Sequence, residues 1–143
     1  MTRGFPLLFS AALVSGACAG RTMATSGAAT SPRPAPDVYT CVRQQIKTVG
    51  FSEQSHDDAE LRTTGRKYDE ITRRPDVRFR RLVDRLAFDI DPAAGDSATA
   101  LSVQASTAAE YMTHRGPTEQ PERTSETAKR AAQVILERCT AKP

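Results

Sequence analysis

The sequence predicts an α+β domain of two layers: a four-stranded antiparallel sheet with an N-terminal and a C-terminal helix packed on one face, in the order α-β-β-β-β-α. Three observations carry this. Apolar residues recur at helical spacing near both ends of the folded part, they alternate with polar residues in the stretches between, and loop-forming residues separate the alternating stretches. A length of 143 residues, with 38% apolar and 26% charged side chains, leaves room for one small domain and excludes large multidomain enzymes and membrane transporters. A domain of roughly 100 residues buries only about 60 to 70% of its extended surface, so a crosslink or a bound partner matters to its stability.

The first helix is predicted from Asp37, a good N-cap, through Val38, Cys41, Val42, Ile46 and Val49 on one face, with Gly50 as the stop. Phe51–Ser55 and Leu61–Arg66 read as strands joined by the polar turn His56–Glu60. A second hairpin pairs Leu82–Ile90, beginning near Phe79, with Leu101, Val103, Ala105 and Thr107 across the loop Asp91–Asp96. Residues 76–86 also fit a helical stripe, through Val77, Phe79, Leu82, Val83 and Leu86. The polar stretch Thr113–Glu122 carries Gly116, Pro117 and Pro121 and reads as a crossing loop. It leads to a last helix capped by Thr124 or Ser125, whose apolar face is Ala128, Ala131, Ala132, Ile135, Leu136 and Cys139. One sheet face is then buried under the helices, and the other presents Arg, Thr, Ser and Asp residues to water.

Ahead of the domain, residues 1–17 have the form of a secretory signal peptide: the positive start Met1-Thr2-Arg3, then an apolar run from Phe5 to Val14 too short to span a bilayer. The next residues, Ser15-Gly16-Ala17-Cys18, resemble the cleavage box of bacterial lipoproteins, with Ser15 where that family usually has an aliphatic residue. That resemblance covers the signal segment alone and implies that Cys18 is lipidated as the new N-terminus. Small-x-small sites at Ser15-x-Ala17 and Ala17-x-Ala19 give an alternative cleavage that releases a secreted protein. Residues 18–36 are mostly Ala, Thr, Ser, Gly and Pro, and read as a disordered, lipid-anchored tether before a single domain at 37–140.

With Cys18 lipidated, Cys41 and Cys139 remain as an even pair in an oxidising compartment, where free thiols are disfavoured. Both lie on the apolar faces of the predicted terminal helices, so a bridge between them pins those helices side by side. Two separated cysteines and the distant His56 and His114 lack the ligand spacing of a structural metal site, and no metal or cofactor is expected.

The net charge of +3 includes Arg3 of the leader, and the basic residues concentrate in one run. Arg73, Arg74, Arg78, Arg80, Arg81 and Arg85 fall within thirteen residues, interrupted by Asp76 and Asp84. Arg78, Arg80, Arg81 and Arg85 are the candidate binding patch, able to meet phosphate groups, although a solvated face has the same composition. Export and the lack of a recognised motif argue against nucleic acid as a partner. Tyr39, Tyr68 and Tyr111 become interaction anchors wherever one is exposed beside Arg78 or Arg81.

Catalytic groupings are weak. Asp57, Asp58 and Glu60 beside His56 suit a hydrated turn, and Ser102, Ser106, Glu110 and His114 lack a nucleophile motif around them. The sequence therefore points to a small exported envelope lipoprotein, anchored to a membrane and facing the periplasm or exterior, that acts as a non-catalytic interaction or accessory module with an envelope protein partner. A binder of a small ligand or envelope polymer on the open sheet face, and a minor secreted hydrolase, are the alternatives.

Overall fold

The structure, a computed structural model, describes residues 23–69, 79–92 and 98–141. The signal segment, Cys18, Arg73, Arg74, Arg78 and most of the Asp91–Asp96 loop lie outside the described residues. Among those described, the elements run β1 (Thr25–Ser31), α1 (Ala35–Thr48), β2 (Ser52–Asp57), β3 (Arg62–Asp69), β4 (Phe79–Pro92), β5 (Thr99–Thr113), β6 (Gly116–Glu122) and α2 (Glu126–Thr140). They form one antiparallel sheet in the order β1-β5-β4-β3-β2, with β6 also paired to β5.

The α+β class and the two helices on one face hold, but the described sheet has six strands, which corrects the expected four and the order α-β-β-β-β-α. One additional strand, β1, lies where a disordered tether was expected. Its composition hides it, because it buries no large side chain: the helix-facing positions Gly27, Ala29 and Ser31 are small, and pairing with β5 from Thr25↔Ala105 to Ser31↔Thr99 holds it. Small residues are required there. A Cβ on Gly27 would stand 2.9 Å from the Leu136 Cδ1 of α2.

The other additional strand, β6, replaces the expected crossing loop. Pro117 and Pro121 made a strand look unfavourable, yet β6 is an outer strand, where a missing N–H costs no ladder bond. It joins β5 through a tight turn at His114 and Arg115, closed by Gly116 at φ +107° and by the Thr113 hydroxyl, which donates to the Gly116 carbonyl at 2.7 Å.

Residues 79–86 are strand, as chosen from the alternation. Helix α1 starts earlier than predicted: Pro34 occupies the N-cap position and its carbonyl accepts from the Asp37 and Val38 amides, so Asp37 lies in the first turn and complements the helix dipole instead of capping. The helix ends as read. Gly50, at φ +82°, donates to the Lys47 carbonyl while Phe51 donates to that of Ile46, a Schellman closure. Ser125 caps α2 by accepting from the Ala128 amide at 3.0 Å.

The core lies between the helices and the inner sheet face. Val38, Val42 and Ile46 of α1 and Ala128, Ile135 and Cys139 of α2 meet Leu86, Phe88, Ile90 and Leu101, all buried. Cys41 and Cys139 form a disulfide with Cα atoms 5.7 Å apart, tying the middle of α1 to the last turn of α2.

Candidate functional site

The outer face of the sheet, opposite the helices, is the part of the domain with unassigned chemistry. Strand alternation and antiparallel register decide which residues share it. Thr64, Arg66 and Tyr68 of β3 pair with Ala87, Arg85 and Val83 of β4, and these pair in turn with Gln104, Ser106 and Ala108 of β5. Arg81 pairs with Glu110, and Glu110 with Glu119 of β6.

These positions assemble a cationic and aromatic cluster. The Arg81 guanidinium carbon stands 3.6 Å from the Tyr68 ring centroid, a close cation–π contact, and that of Arg66 lies 6.0 Å from the same ring. Tyr68 remains 37% exposed, one of the few large apolar side chains so placed. Arg81 Nε also donates to Glu110 Oε1 at 3.1 Å, and Arg80 Nη1 lies 3.2 Å from the same oxygen. Both reach it because a register shift between Phe79 and Arg81 turns Arg80 toward Glu110. Arg85 pairs with Glu119. Of the predicted patch, then, Arg80, Arg81 and Arg85 come together on or beside the outer face, while Arg78 is outside the described residues.

The residue the sequence reading left out of the patch is Arg66. It precedes the arginine run and lies on a different strand, and only its alternation with Thr64 and Tyr68, in phase with β4, places it opposite Arg85. Two shallow depressions mark the face. One of about 190 Å³ is lined by Gln54, Thr64, Arg66, Arg85, Gln104 and Ser106, among others. The second, of about 500 Å³, lies toward β1 beside Ser26, Ala28, Asp89 and Ser102.

A second polar cluster joins α1 to the β2–β3 hairpin. Arg43 Nε donates to Glu53 Oε1 at 2.5 Å, Thr63 donates to the same oxygen at 3.2 Å, and the Tyr39 hydroxyl donates to Asp58 Oδ1 at 2.8 Å. The Arg43 hydrogen bond holds the Glu53 carboxyl below its ordinary range. Burial, reinforced by the Asp58 hydrogen bond and charge, pushes the Tyr39 phenol up to about 12. His56 Nδ1 is 4.0 Å from Glu53 Oε1, an oxygen already engaged by Arg43 and Thr63. Asp57 closes the predicted turn, accepting from the Ala59 and Glu60 amides, which lowers its carboxyl.

The other histidine grouping is taken apart by the fold. His114 sits at the β5–β6 turn, and Ser106 lies eight residues back along an extended strand, roughly 27 Å at about 3.4 Å per residue. Among the described residues, no three His, Cys, Asp or Glu side chains converge as a metal-ligand set.

No protein family matches the chain, and no curated protein matches it. Among solved structures, a DUF4468 family protein from Bacteroides ovatus is similar to it, at 8% identity and a TM-score of 0.41, over 84% of this chain and 86% of that one.

Proposed function

We propose that the chain is an exported binding module of the bacterial envelope, non-catalytic, anchored through a lipid on Cys18 and holding an envelope component on the outer face of its sheet. The observation that carries the binding role is Tyr68 with Arg81 stacked on its ring at 3.6 Å, an exposed aromatic–arginine pair of the kind that anchors interfaces, fixed on adjacent strands. The depressions elsewhere on the same face are shallow and carry polar side chains, which suits an extended partner better than a small enclosed ligand.

Export is supported by the leader pattern and by the Cys41–Cys139 bridge, which suits an oxidising compartment. Because β1 begins at Thr25, an anchor on Cys18 would keep the domain within about 25 Å of the bilayer, given ~3.4 Å per extended residue.

The test is expression with the native leader in a bacterial host, with a photo-crosslinking residue at Gln104 on the outer face or at Gln133 on the exposed side of α2. An acylated Cys18 in the N-terminal peptide and defined adducts from Gln104, but not from Gln133, are expected. An unmodified N-terminus removes the anchor, and adducts from Gln133 alone remove the outer face as the binding surface.

A further inference from the structure

We propose that the outer face carries a binding site for a phosphate group, set between Arg66 of β3 and Arg85 of β4. This rests on the binding-module reading and names the chemistry of what the face takes. The two arginines are register partners on one face of neighbouring strands. Like charges directly opposite each other in a sheet are destabilising unless something neutralises them.

Only one of the two is neutralised. Arg85 is paired with Glu119, whereas Arg66 has no carboxylate partner among the described residues. Its Nη1 donates to the Tyr68 hydroxyl at 3.2 Å, and its Nε is buried with no acceptor among the described residues. A buried donor on a cation without an acceptor is unfavourable, and an anion in the adjoining depression relieves both the unmet donor and the facing charges.

The depression is built for that occupant. Besides the two guanidinium groups, Gln54, Thr64, Gln104 and Ser106 line it with amide and hydroxyl groups, and no carboxylate does. Each guanidinium presents a planar fork of donors matched to an oxyanion. A tetrahedral phosphate, with oxygens on every side, can accept from two such groups on adjacent strands and compete with Glu119 for Arg85, which a planar carboxylate does less readily. Gln104 at the rim pairs with Ser26 near the start of β1, so the site lies beside the strand through which the chain runs back toward Cys18. Phosphate carried by a lipid headgroup and free phosphate share this chemistry.

The test is a titration of the full mature chain, with its arginines labelled by nitrogen-15, following the side-chain Nε–H signals. Inorganic phosphate at constant ionic strength is one arm, and a soluble short-chain phosphatidylglycerol is the other. Saturable shifts of the Arg66 and Arg85 signals are expected in at least one arm. Saturation with inorganic phosphate assigns free phosphate, and saturation with the lipid alone assigns the headgroup.

Affinity should fall about tenfold or more in Arg66→Gln and less steeply in Arg66→Lys, which keeps the charge but loses the fork. Arg130→Gln, on the exposed part of α2, should leave it unchanged. Arg66→Gln removes one of two facing like charges, and its backbone spectrum verifies that it folds. Unsaturable shifts spread evenly over all arginines, or an affinity indifferent to Arg66→Gln, overturn the site. Crosslinks from Gln104 without a phosphate response leave the binding module standing and remove only its phosphate chemistry. A phosphate response without such crosslinks does the reverse.

Discussion

Gly65 of β3 lies so close beneath Ile46 of α1 that a Cβ at that position would stand 2.9 Å from Ile46 Cγ2 and 3.4 Å from the Phe51 Cβ. The first helix rests on the sheet through this contact, and Ile46 is fully buried on a stiff β-branched side chain that has nowhere to turn. Gly65→Ala is therefore expected to destabilise by about 1–3 kcal/mol, as overpacking does. Gly27 has an equally short approach, but its neighbour is the tip of the partly buried Leu136 side chain, which can swing aside. Gly27→Ala should cost under about 1 kcal/mol, offset by the lower entropy loss of alanine. Urea unfolding of the two variants and of Gly65→Ala/Ile46→Val tests this. Equal losses at both glycines, or no recovery in the double variant, would show that the close approach is not what holds Gly65.

Asp84 sits on the inner sheet face opposite Lys67 and Thr107, 5% exposed, and organises the start of α2. Ser125 donates its hydroxyl to Asp84 at 2.8 Å and accepts the Ala128 amide. Thr107 donates to Asp84 and accepts the Ser125 amide at 2.9 Å. The carboxylate thus fixes the orientation of two hydroxyls that satisfy the helix N-terminus. Asp84→Ala should cost about 2–4 kcal/mol, because two hydroxyls lose a charged acceptor, and Ser125→Ala about 1 kcal/mol, the value of a cap. Hydrogen exchange should locate the loss in the first turn of α2. Uniform loss of protection across the sheet, with α2 no worse, would place the role of Asp84 elsewhere.

Much of this was readable and the gaps have physical causes. Helical spacing exposed the inner faces of both helices, and with them the positions of Cys41 and Cys139, because burying one stripe forces a period the sequence must show. Strand β1 left no such trace, since its inward positions are small to admit Leu136 and its stability comes from backbone pairing with β5. Strand β6 was masked by two prolines that an outer strand tolerates. At the candidate site the arginine run flagged Arg80, Arg81 and Arg85, and Tyr68 was named as an anchor if exposed beside Arg81, but only the β3–β4 register brings Arg66 to the same cluster. Asp84 showed only as a charge interrupting the arginine run, because the partners that give it a role come from elements distant in sequence.

Acid should loosen the junction between α1 and the β2–β3 hairpin. Glu53 has a folded pKa below its unfolded value, because Arg43 and Thr63 hydrogen-bond its charged form. Its contribution is therefore complete above the unfolded carboxylate range, near pH 4.3, and is lost as the pH falls through the lower folded value. Tyr39 runs the other way. With its phenol raised to about 12, its neutral form is favoured in the fold, so its contribution is complete below about pH 10 and lost as the pH rises toward 12. Stability measured by urea unfolding across pH should lose part of its acid limb in Glu53→Gln, which should also cost about 1–2 kcal/mol at neutral pH. Tyr39→Phe should flatten the alkaline limb alone. An acid limb unchanged in Glu53→Gln would assign it to other carboxylates.

The Cys41–Cys139 bridge closes a separation of 98 residues, nearly the whole folded part. In the chain-entropy account a loop of that length restrains the unfolded chain by about 4–5 kcal/mol, a large share of the roughly 5–15 kcal/mol that a domain of this size possesses. The native contacts do not depend on the bond alone: Val38, Val42 and Ile46 of α1 and Ala128 and Ile135 of α2 remain packed on the sheet without it. The Cys41→Ala/Cys139→Ala variant should therefore fold to the same structure but melt about 16–40 °C lower, at roughly 4–8 °C per kcal/mol. Calorimetry of the oxidised protein, the reduced protein and the variant separates the causes. If the crosslink acts through the unfolded chain, the reduced protein and the variant fall together; if the variant falls much further, the lost volume of the buried Cys139 side chain is the larger cause. A drop of only a few degrees in both would mean that the helices are held by packing and that the bridge adds little.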